Sequence, residues 1–213
     1  MFVDTHRQSA GFTILELMIA ATVFSIILLV VAIGVISFTN DYYKGVTSSK
    51  TQAVARSIIN TVSESIQFDK RVSTSLSGSS GTQGICIDNT LYSYVIGQQV
   101  TDANPDGTKH QAYHGLIADT GGCGTPNVPN SNTALASTQR ELLGRHMRLG
   151  ALDVSAAGGL YTIRVRVIYG DDDLLVPGVT GSTDWSRELC GSNIIGGQFC
   201  AVSDLTTTVK QRL

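Results

Sequence analysis

Two groups of side chains in this sequence have the types needed to bind a metal. His110 and His114 are four residues apart, which would place them on one face of a helix, but their surroundings are rich in glycine and proline. They also lack the glutamate of the zinc-protease motif, so we expect surface histidines there. Asp171-Asp172-Asp173 offers oxygen ligands to calcium, yet it lacks the spacing of a calcium-binding loop. A solvated turn is the better prediction, and we predict no metal site.

A third group is basic and could contact DNA phosphates. It comprises Arg140, Arg145, His146 and Arg148, with Glu141 among them, and a solvated helix face is the competing interpretation. The net charge of −2 and pI near 6.0 give the whole chain no general attraction for nucleic acid, which is therefore a weakly supported partner. The sequence contains no nucleophile motif and no phosphate-binding glycine loop, so we expect neither an enzyme nor a cofactor.

Glu16 is the one formal charge between Phe12 and Asn40. The run from Leu17 to Phe38 is long and apolar enough to predict a membrane-spanning helix. A charged residue at the bilayer centre costs about 2.5–3.5 kcal/mol on insertion scales, so Glu16 would gain from a cationic partner. The alternative is a carboxylate in the headgroup region, favoured by the dipole at the start of the helix.

A short polar leader, Met1–Gly11, precedes the apolar run. In a secretory signal the apolar core comes before the cleavage site and is removed with it. Here the small residues Ala10-Gly11 come first, so cleavage after Gly11 would leave the apolar helix on the mature chain. Arg7 agrees with a cytoplasmic N-terminus.

Gly11-Phe12-Thr13, followed by Glu16 and an uncharged apolar helix, resembles the class III prepilin signal of type IV pilins and type II secretion pseudopilins. The resemblance implies that a prepilin peptidase cleaves between Gly11 and Phe12 and methylates the new Phe12 amine. It implies that Glu16, in the assembly segment with Thr13, meets the Phe12 amine of a neighbouring subunit. The implied partners are other pilins, packed helix to helix, and the inner-membrane assembly platform. Major pilins often carry a helix-kinking proline in this segment, whereas this chain has Gly34 there, which favours a minor subunit.

The helical pattern continues past the apolar run on one face only, which predicts a single helix from Phe12 to about Phe68. Two helices broken at Asn40-Asp41 or Gly45 are the alternative. The apolar positions of the continuation are Tyr43, Val46, Ala55, Ile58, Ile59, Val62 and Ile66.

The remaining chain predicts a β-rich domain. The clearest strand is Tyr161–Tyr169, where apolar residues alternate with Arg164 and Arg166 on the wetter face. The other predicted elements are a linker at Ser73–Gly84, a hairpin of Gly84–Asp88 and Leu91–Ile96, a loop at Asp102–Asn132, a short helix at Ser137–Leu149, a strand at Leu152–Ser155, a segment at Leu174–Val176 pairing back on the main strand, and a closing strand within Phe199–Leu213.

All four cysteines follow the apolar helix, and none has C-x-x-C spacing. An even number beyond a membrane anchor suggests disulfides in an oxidising compartment. Three pairings are possible, and we favour Cys86–Cys123 and Cys190–Cys200 because each joins sequence neighbours across one loop. Four free thiols are the alternative.

Together these features predict an α+β, type IV pilin-like fold with a long N-terminal helix packed on an antiparallel β-sheet head. The expected parts are a leader (1–11), a transmembrane or filament-core helix (12–40), an amphipathic continuation (41–70) and an extracytoplasmic head (71–213). The end of the chain and the Leu160–Tyr169 strand resemble PilW/PilJ-type minor pilins. The implied function is that of a minor pilin. Before assembly it would be anchored in the membrane, with its N-terminus in the cytoplasm and its head outside. It would then enter an extracellular filament that serves pilus initiation, adhesion, twitching motility or contact with surfaces or DNA. A secretion or competence pseudopilin and a signal-anchored surface protein that does not polymerise are the alternatives.

Overall fold

The computed structural model describes residues 12–68, 72–79, 81–101, 113–129, 135–176, 184–185, 189–191 and 195–212. The leader, Gly11 and His110 lie outside these residues. By internal contacts the chain divides into two units, Met1–Tyr42 and Tyr43–Leu213. The described residues contain the helix α1 (Ile14–Phe68) and the strands β1 (Val72–Ser77), β2 (Gln83–Ile87), β3 (Thr90–Tyr94), β4 (Leu116–Asp119), β5 (Gln139–Glu141), β6 (Met147–Ala157), β7 (Leu160–Tyr169), β8 (Leu175–Val176), β9 (Leu189–Cys190) and β10 (Ala201–Lys210).

The predicted single helix is confirmed. α1 continues without interruption through Gly34 and Gly45, so the alternative of two helices is wrong. Its second half turns one face inward, as the spacing of its apolar residues predicts. The buried residues of α1 are Thr47, Thr51, Ala55, Ile58, Ile59, Val62, Ser63 and Ile66.

All strand pairs among the described residues are antiparallel. One sheet has five strands in the order β1-β2-β3-β4-β5, and a second has three in the order β10-β7-β6. The backbone after β3 joins the two sheets, because Gly97 N–H donates to the Leu149 carbonyl at 2.8 Å and Val100 N–H to the Met147 carbonyl at 2.8 Å. One apolar core contains buried residues of both sheets and of the second half of α1. The chain therefore has the expected α+β layout, with antiparallel sheets packed on a long N-terminal helix.

Two tyrosines tie the layers of this core together through their hydroxyl groups. Tyr92 on β3 lies 3.0 Å from the Ser65 hydroxyl on α1, and Tyr94 donates to the Leu152 carbonyl on β6 at 3.2 Å. Burial, and then the charge of Asp153, raise the pKa of Tyr94 to about 12, so this hydroxyl keeps its proton and stays a donor.

The β2–β3 hairpin, the β7 strand and the closing strand β10 agree with the sequence-based predictions. The face of β7 that carries the arginines is less exposed to solvent than expected. Arg164 has a side chain 38% exposed, but that of Arg166 is only 8% exposed, and both bind Asp204 of β10. Ion pairing with the neighbouring strand lets this face be partly covered.

Several other predictions were wrong. Ser137–Leu149 is not a helix: it contributes β5 and the start of β6, joined by a turn in which His146 has a positive φ of 60°. The linker at Ser73–Gly84 contains most of β1 and the start of β2, and the loop at Asp102–Asn132 contains β4. Leu175–Val176 pairs with β9 rather than back on β7. One prediction in this part of the chain is confirmed: the strand at Leu152–Ser155 lies within the longer β6.

Candidate functional site

Thr13 sets the start of α1. Phe12 and Thr13 precede the first helical residue, and the Thr13 hydroxyl oxygen accepts a hydrogen bond from the Glu16 N–H at 3.3 Å. The Thr13 carbonyl accepts from the Leu17 N–H at 3.2 Å. This is the geometry of a helix N-cap, which satisfies a backbone donor that has no partner within the helix. Thr13 and Glu16 also have the spacing of a capping box, which the sequence analysis did not identify.

The cap places Glu16 in the first turn of α1, where the helix dipole favours a negative charge. Its side chain is exposed, and so is that of Phe12, at 79%. A carboxylate and the residue that would carry a new N-terminal amine therefore both stand at the end of the helix, open to another molecule.

The apolar half of α1 is uncovered. The helix is long and apolar enough to span a membrane. Its most apolar 18-residue window has a mean hydropathy of 3.0, and none of that window is buried. Every large apolar side chain from Ile14 to Phe38 is at least half exposed. So large an apolar surface requires lipid or other helices around it.

The helix cap, the exposed Glu16 and the start of the apolar run all lie in one short segment of the chain. Residues 6–32 match the prokaryotic N-terminal methylation motif. The match includes Gly11, Phe12 and Glu16, and it supports a type IV pilin-like protein. The motif marks structural rather than enzymatic proteins. It also fits membrane anchoring by α1 and implies processing by a prepilin peptidase and assembly with other pilins.

No curated protein and no solved structure matches the chain. The narrower resemblance to PilW/PilJ-type minor pilins is therefore without support from related proteins.

Two disulfides stabilise the second unit. Cys86 on β2 is bonded to Cys123, with the two Cα atoms 5.7 Å apart, and Cys190 on β9 is bonded to Cys200, with a Cα separation of 5.6 Å. This is the pairing that the sequence favoured. The first bond ties the loop after β4 to the five-stranded sheet, and the second closes the segment before β10.

His114 is not the surface residue we expected, because its side chain is only 18% exposed and lies 3.3 Å from the Glu141 carboxylate. Glu141 also accepts three backbone N–H donors, from Gly115, Leu116 and Leu143, each at 3.0 Å. Burial raises the pKa of the Glu141 carboxyl, and the three donors offset part of that effect. Glu141 and its partners connect β4 to β5. The sequence analysis placed Glu141 on a helix and therefore did not identify this cluster.

The basic cluster is not wholly at the surface. Arg148 is 2% exposed, donates to Asp172 and to the Gly170 carbonyl, and lies 5.0 Å from the ring of Trp185. His146 contacts Asp171, and hydrogen bonds from Gln99 and His146 lower the pKa of that carboxyl. The solvated helix face is therefore wrong, because this segment forms β5 and the start of β6. Arg140 and Arg145 are exposed, and a contact with DNA stays a prediction. Two of the three consecutive aspartates hold side chains of the fold, and among the described residues no group of three or more potential ligands is placed to hold a metal.

Proposed function

We propose that the chain is a minor pilin of a type IV filament. A prepilin peptidase removes residues 1–11 and methylates the Phe12 amine. The mature protein waits in the membrane, anchored by residues 12–40, with its head outside the cytoplasm. The assembly platform then extracts it, and the apolar helix exchanges lipid for the helices of other subunits. The observation that supports this most directly is the methylation motif at residues 6–32, joined to a helix that exposes its whole apolar half.

Glu16 selects the position of the subunit in this proposal. Lipid and neighbouring helices are similarly apolar, so little hydrophobic free energy distinguishes the two states. A carboxylate in that environment gains from a cationic partner, and the Phe12 amine of a neighbouring subunit supplies one. The pairing favours one axial register of the helix in the bundle.

Two features favour a minor subunit. No proline precedes Pro105, and α1 continues without a break at Gly34, where major pilins often have a helix-kinking proline. The proposal includes no catalytic role and no DNA contact, since Arg148 is buried and bound to Asp172 and the Gly170 carbonyl, and His146 contacts Asp171.

Replacement of Glu16 tests the proposal. Glu16→Ala should be cleaved normally but should enter filaments poorly, because the neighbouring amine loses its partner. Removing one member of a buried ion pair costs about 3–5 kcal/mol, which corresponds to at least a 100-fold loss in equilibrium incorporation. The measurement is the ratio of protein in sheared filaments to protein left in membranes, in cells that express the partner subunits.

Glu64→Ala is the matched control, since Glu64 is an exposed glutamate on the same helix, outside the apolar half. It should be incorporated like the unmodified chain. Equal incorporation of Glu16→Ala and Glu64→Ala would contradict the pairing. A protein found in a secretion or competence pseudopilus, rather than in surface filaments, would replace the minor-pilin assignment with that of a pseudopilin.

A further inference from the structure

An open cavity of about 360 Å³ in the second unit combines acidic, aromatic and aliphatic side chains in its wall, and we call it the Asp173 cavity. Its volume falls within the range of small-ligand sites. The wall includes His146, Tyr169, Asp171, Asp173, Ile195 and Phe199. None of these residues belongs to the assembly segment at the start of α1, so the cavity is a separate candidate site.

The two carboxylates of the cavity are exposed and can accept hydrogen bonds from a cationic group. Gln99 and His146 both contact Asp171 at its Oδ1 atom, at 2.8 Å and 3.3 Å. The hydrogen bond from Gln99, and then that from His146, lower the pKa of Asp171, which is therefore ionised at neutral pH. The Oδ2 atom of Asp171 and the exposed Asp173 carboxylate make no hydrogen bond to another side chain among the described residues.

The aspartate between these two shows how the same acidic run holds a cation. Asp172 accepts a hydrogen bond from the guanidinium of Arg148, whose central carbon lies 5.0 Å from the centroid of the Trp185 ring. A carboxylate and an aromatic ring thus bind one arginine of the fold itself. The Asp173 cavity offers the same combination to another molecule, since its carboxylates share a wall with Tyr169 and Phe199.

Ile195 and Phe199 give the cavity an apolar margin. Ile195 is 99% exposed and Phe199 is 43% exposed. Gly196 adopts a positive φ of 93°, which favours glycine, and the 3₁₀ turn Gly197–Phe199 leads to the disulfide-bonded Cys200. The two apolar side chains are therefore held on a short, cross-linked segment, which reduces the entropy lost on binding. Apolar side chains beside a polar pocket are typical of a contact with another protein.

We propose that the Asp173 cavity binds an arginine side chain of a partner protein. The aliphatic stem of this arginine lies along Ile195 and Phe199, as long basic side chains cover apolar surface with their stems. Its guanidinium donates to Asp171 and Asp173. A guanidinium is planar and carries its donors in a fixed fork, so it can bind carboxylates and stack on a ring, whereas the ammonium of lysine is a point charge. The inference goes beyond the proposed function and does not require filament assembly.

Binding of two short peptides to the full chain in a neutral detergent tests this inference. One is acetyl-Gly-Leu-Arg-Gly-amide, and the other has citrulline in place of arginine, which keeps the shape of the side chain and removes its charge. Their affinities are measured by NMR titration of the peptide resonances. We expect the arginine peptide to bind at least about fivefold more tightly, because its hydrogen bonds to the carboxylates are charge-assisted. Equal affinities of the two peptides would overturn the inference.

Asp173→Asn distinguishes the cavity from a general attraction to acidic surface. It should weaken binding of the arginine peptide about threefold or more, as for the loss of an exposed ion pair. Asp153→Asn is the matched control, since Asp153 is 67% exposed and lies opposite Arg164, roughly 17 Å along β7 from Tyr169 in the cavity wall. It should bind like the unmodified chain. Equal losses in both variants, or equal affinity for a lysine peptide, would contradict the assignment.

Photocrosslinking in the native host tests whether the partner is a protein. p-Benzoylphenylalanine replaces Ile195, or Leu160 as the control, which is 46% exposed at the start of β7. We expect Ile195 to be attached to a partner protein beside an arginine, with a yield that Asp173→Asn lowers at Ile195 but not at Leu160. A yield at Ile195 that Asp173→Asn leaves unchanged, or products with lipid alone, would overturn the inference. A partner other than a pilin would count against the proposed function and would support this inference, so the two can fail separately.

Discussion

Glu141 shows how one buried carboxylate can organise a sheet edge. Its side chain receives the Gly115, Leu116 and Leu143 N–H groups and contacts His114, all within 3.3 Å. An acid whose pKa is raised in the folded state takes up protons on folding in the range above its ordinary value. The stabilisation that such an acid contributes is therefore complete below its ordinary pKa. It is lost as the pH rises through the pKa of the acid in the folded state.

This linkage predicts a pH dependence that Glu141→Gln should remove. The ordinary pKa of Glu141 is 4.5, and burial moves it upward. Between pH 4.5 and about 6, below the usual range of histidine titration, the unmodified chain should lose thermal stability relative to Glu141→Gln. Asp119, Asp171 and Asp204 have lowered pKa values, so their effects fall below this window.

The measurement is the thermal midpoint of both proteins across that range in detergent. Glu141→Gln should also be less stable by about 1–3 kcal/mol throughout, because its amide cannot accept all the buried donors. Glu64→Gln, on the exposed face of α1, should follow the unmodified chain. A constant difference between Glu141→Gln and the unmodified chain would contradict the linkage.

Among the elements of the fold, the two disulfides should contribute unequally. Cys86–Cys123 closes 37 residues and Cys190–Cys200 closes 10. The chain-entropy model assigns about 4 kcal/mol to the longer loop and about 3 kcal/mol to the shorter one. Replacing each pair with alanines should lower the free energy of unfolding in that order, as measured by urea titration of the full chain in detergent. A larger loss from the Cys190–Cys200 pair would show that native contacts, rather than loop closure, dominate.

The elements that could be predicted from sequence have patterns that only one structure satisfies. The apolar run and its one-faced continuation predict α1, and the alternation from Tyr161 to Tyr169 predicts β7, because burial on one face requires those periods. Ser137–Leu149 combined a capping residue, an early glutamate and spaced leucines, which favour a helix locally. Its backbone instead pairs with three distant segments, which are β4, β7 and the residues that follow β3. A local pattern cannot reveal such distant partners.

The same contrast applies to the candidate site. Gly11, Phe12 and Glu16 could be recognised because their order along the chain is itself the signal. The Thr13 cap was also readable, from its spacing to Glu16. The contacts of Glu141 with His114, Gly115 and Leu116 were not, since tertiary structure brings these distant residues together.

At the scale of the whole molecule, the chain combines an N-terminal segment that needs an apolar environment with a cross-linked β-rich unit that has its own core. The first requires lipid or neighbouring helices, and the second is stabilised by disulfides suited to an oxidising compartment. The proposed passage of the subunit from membrane to extracellular filament would meet both requirements.

The mass of the N-terminal peptide of the protein purified from its native membranes tests this account most directly. The account predicts a chain that begins at Phe12 and carries one methyl group on its amine, because it proposes cleavage after Gly11 within the methylation motif at residues 6–32. A Gly11→Ala chain provides the control for the cleavage step and should retain the leader. Recovery of the unmodified protein with Met1 intact and Phe12 unmethylated would contradict the account, whatever the head proves to bind.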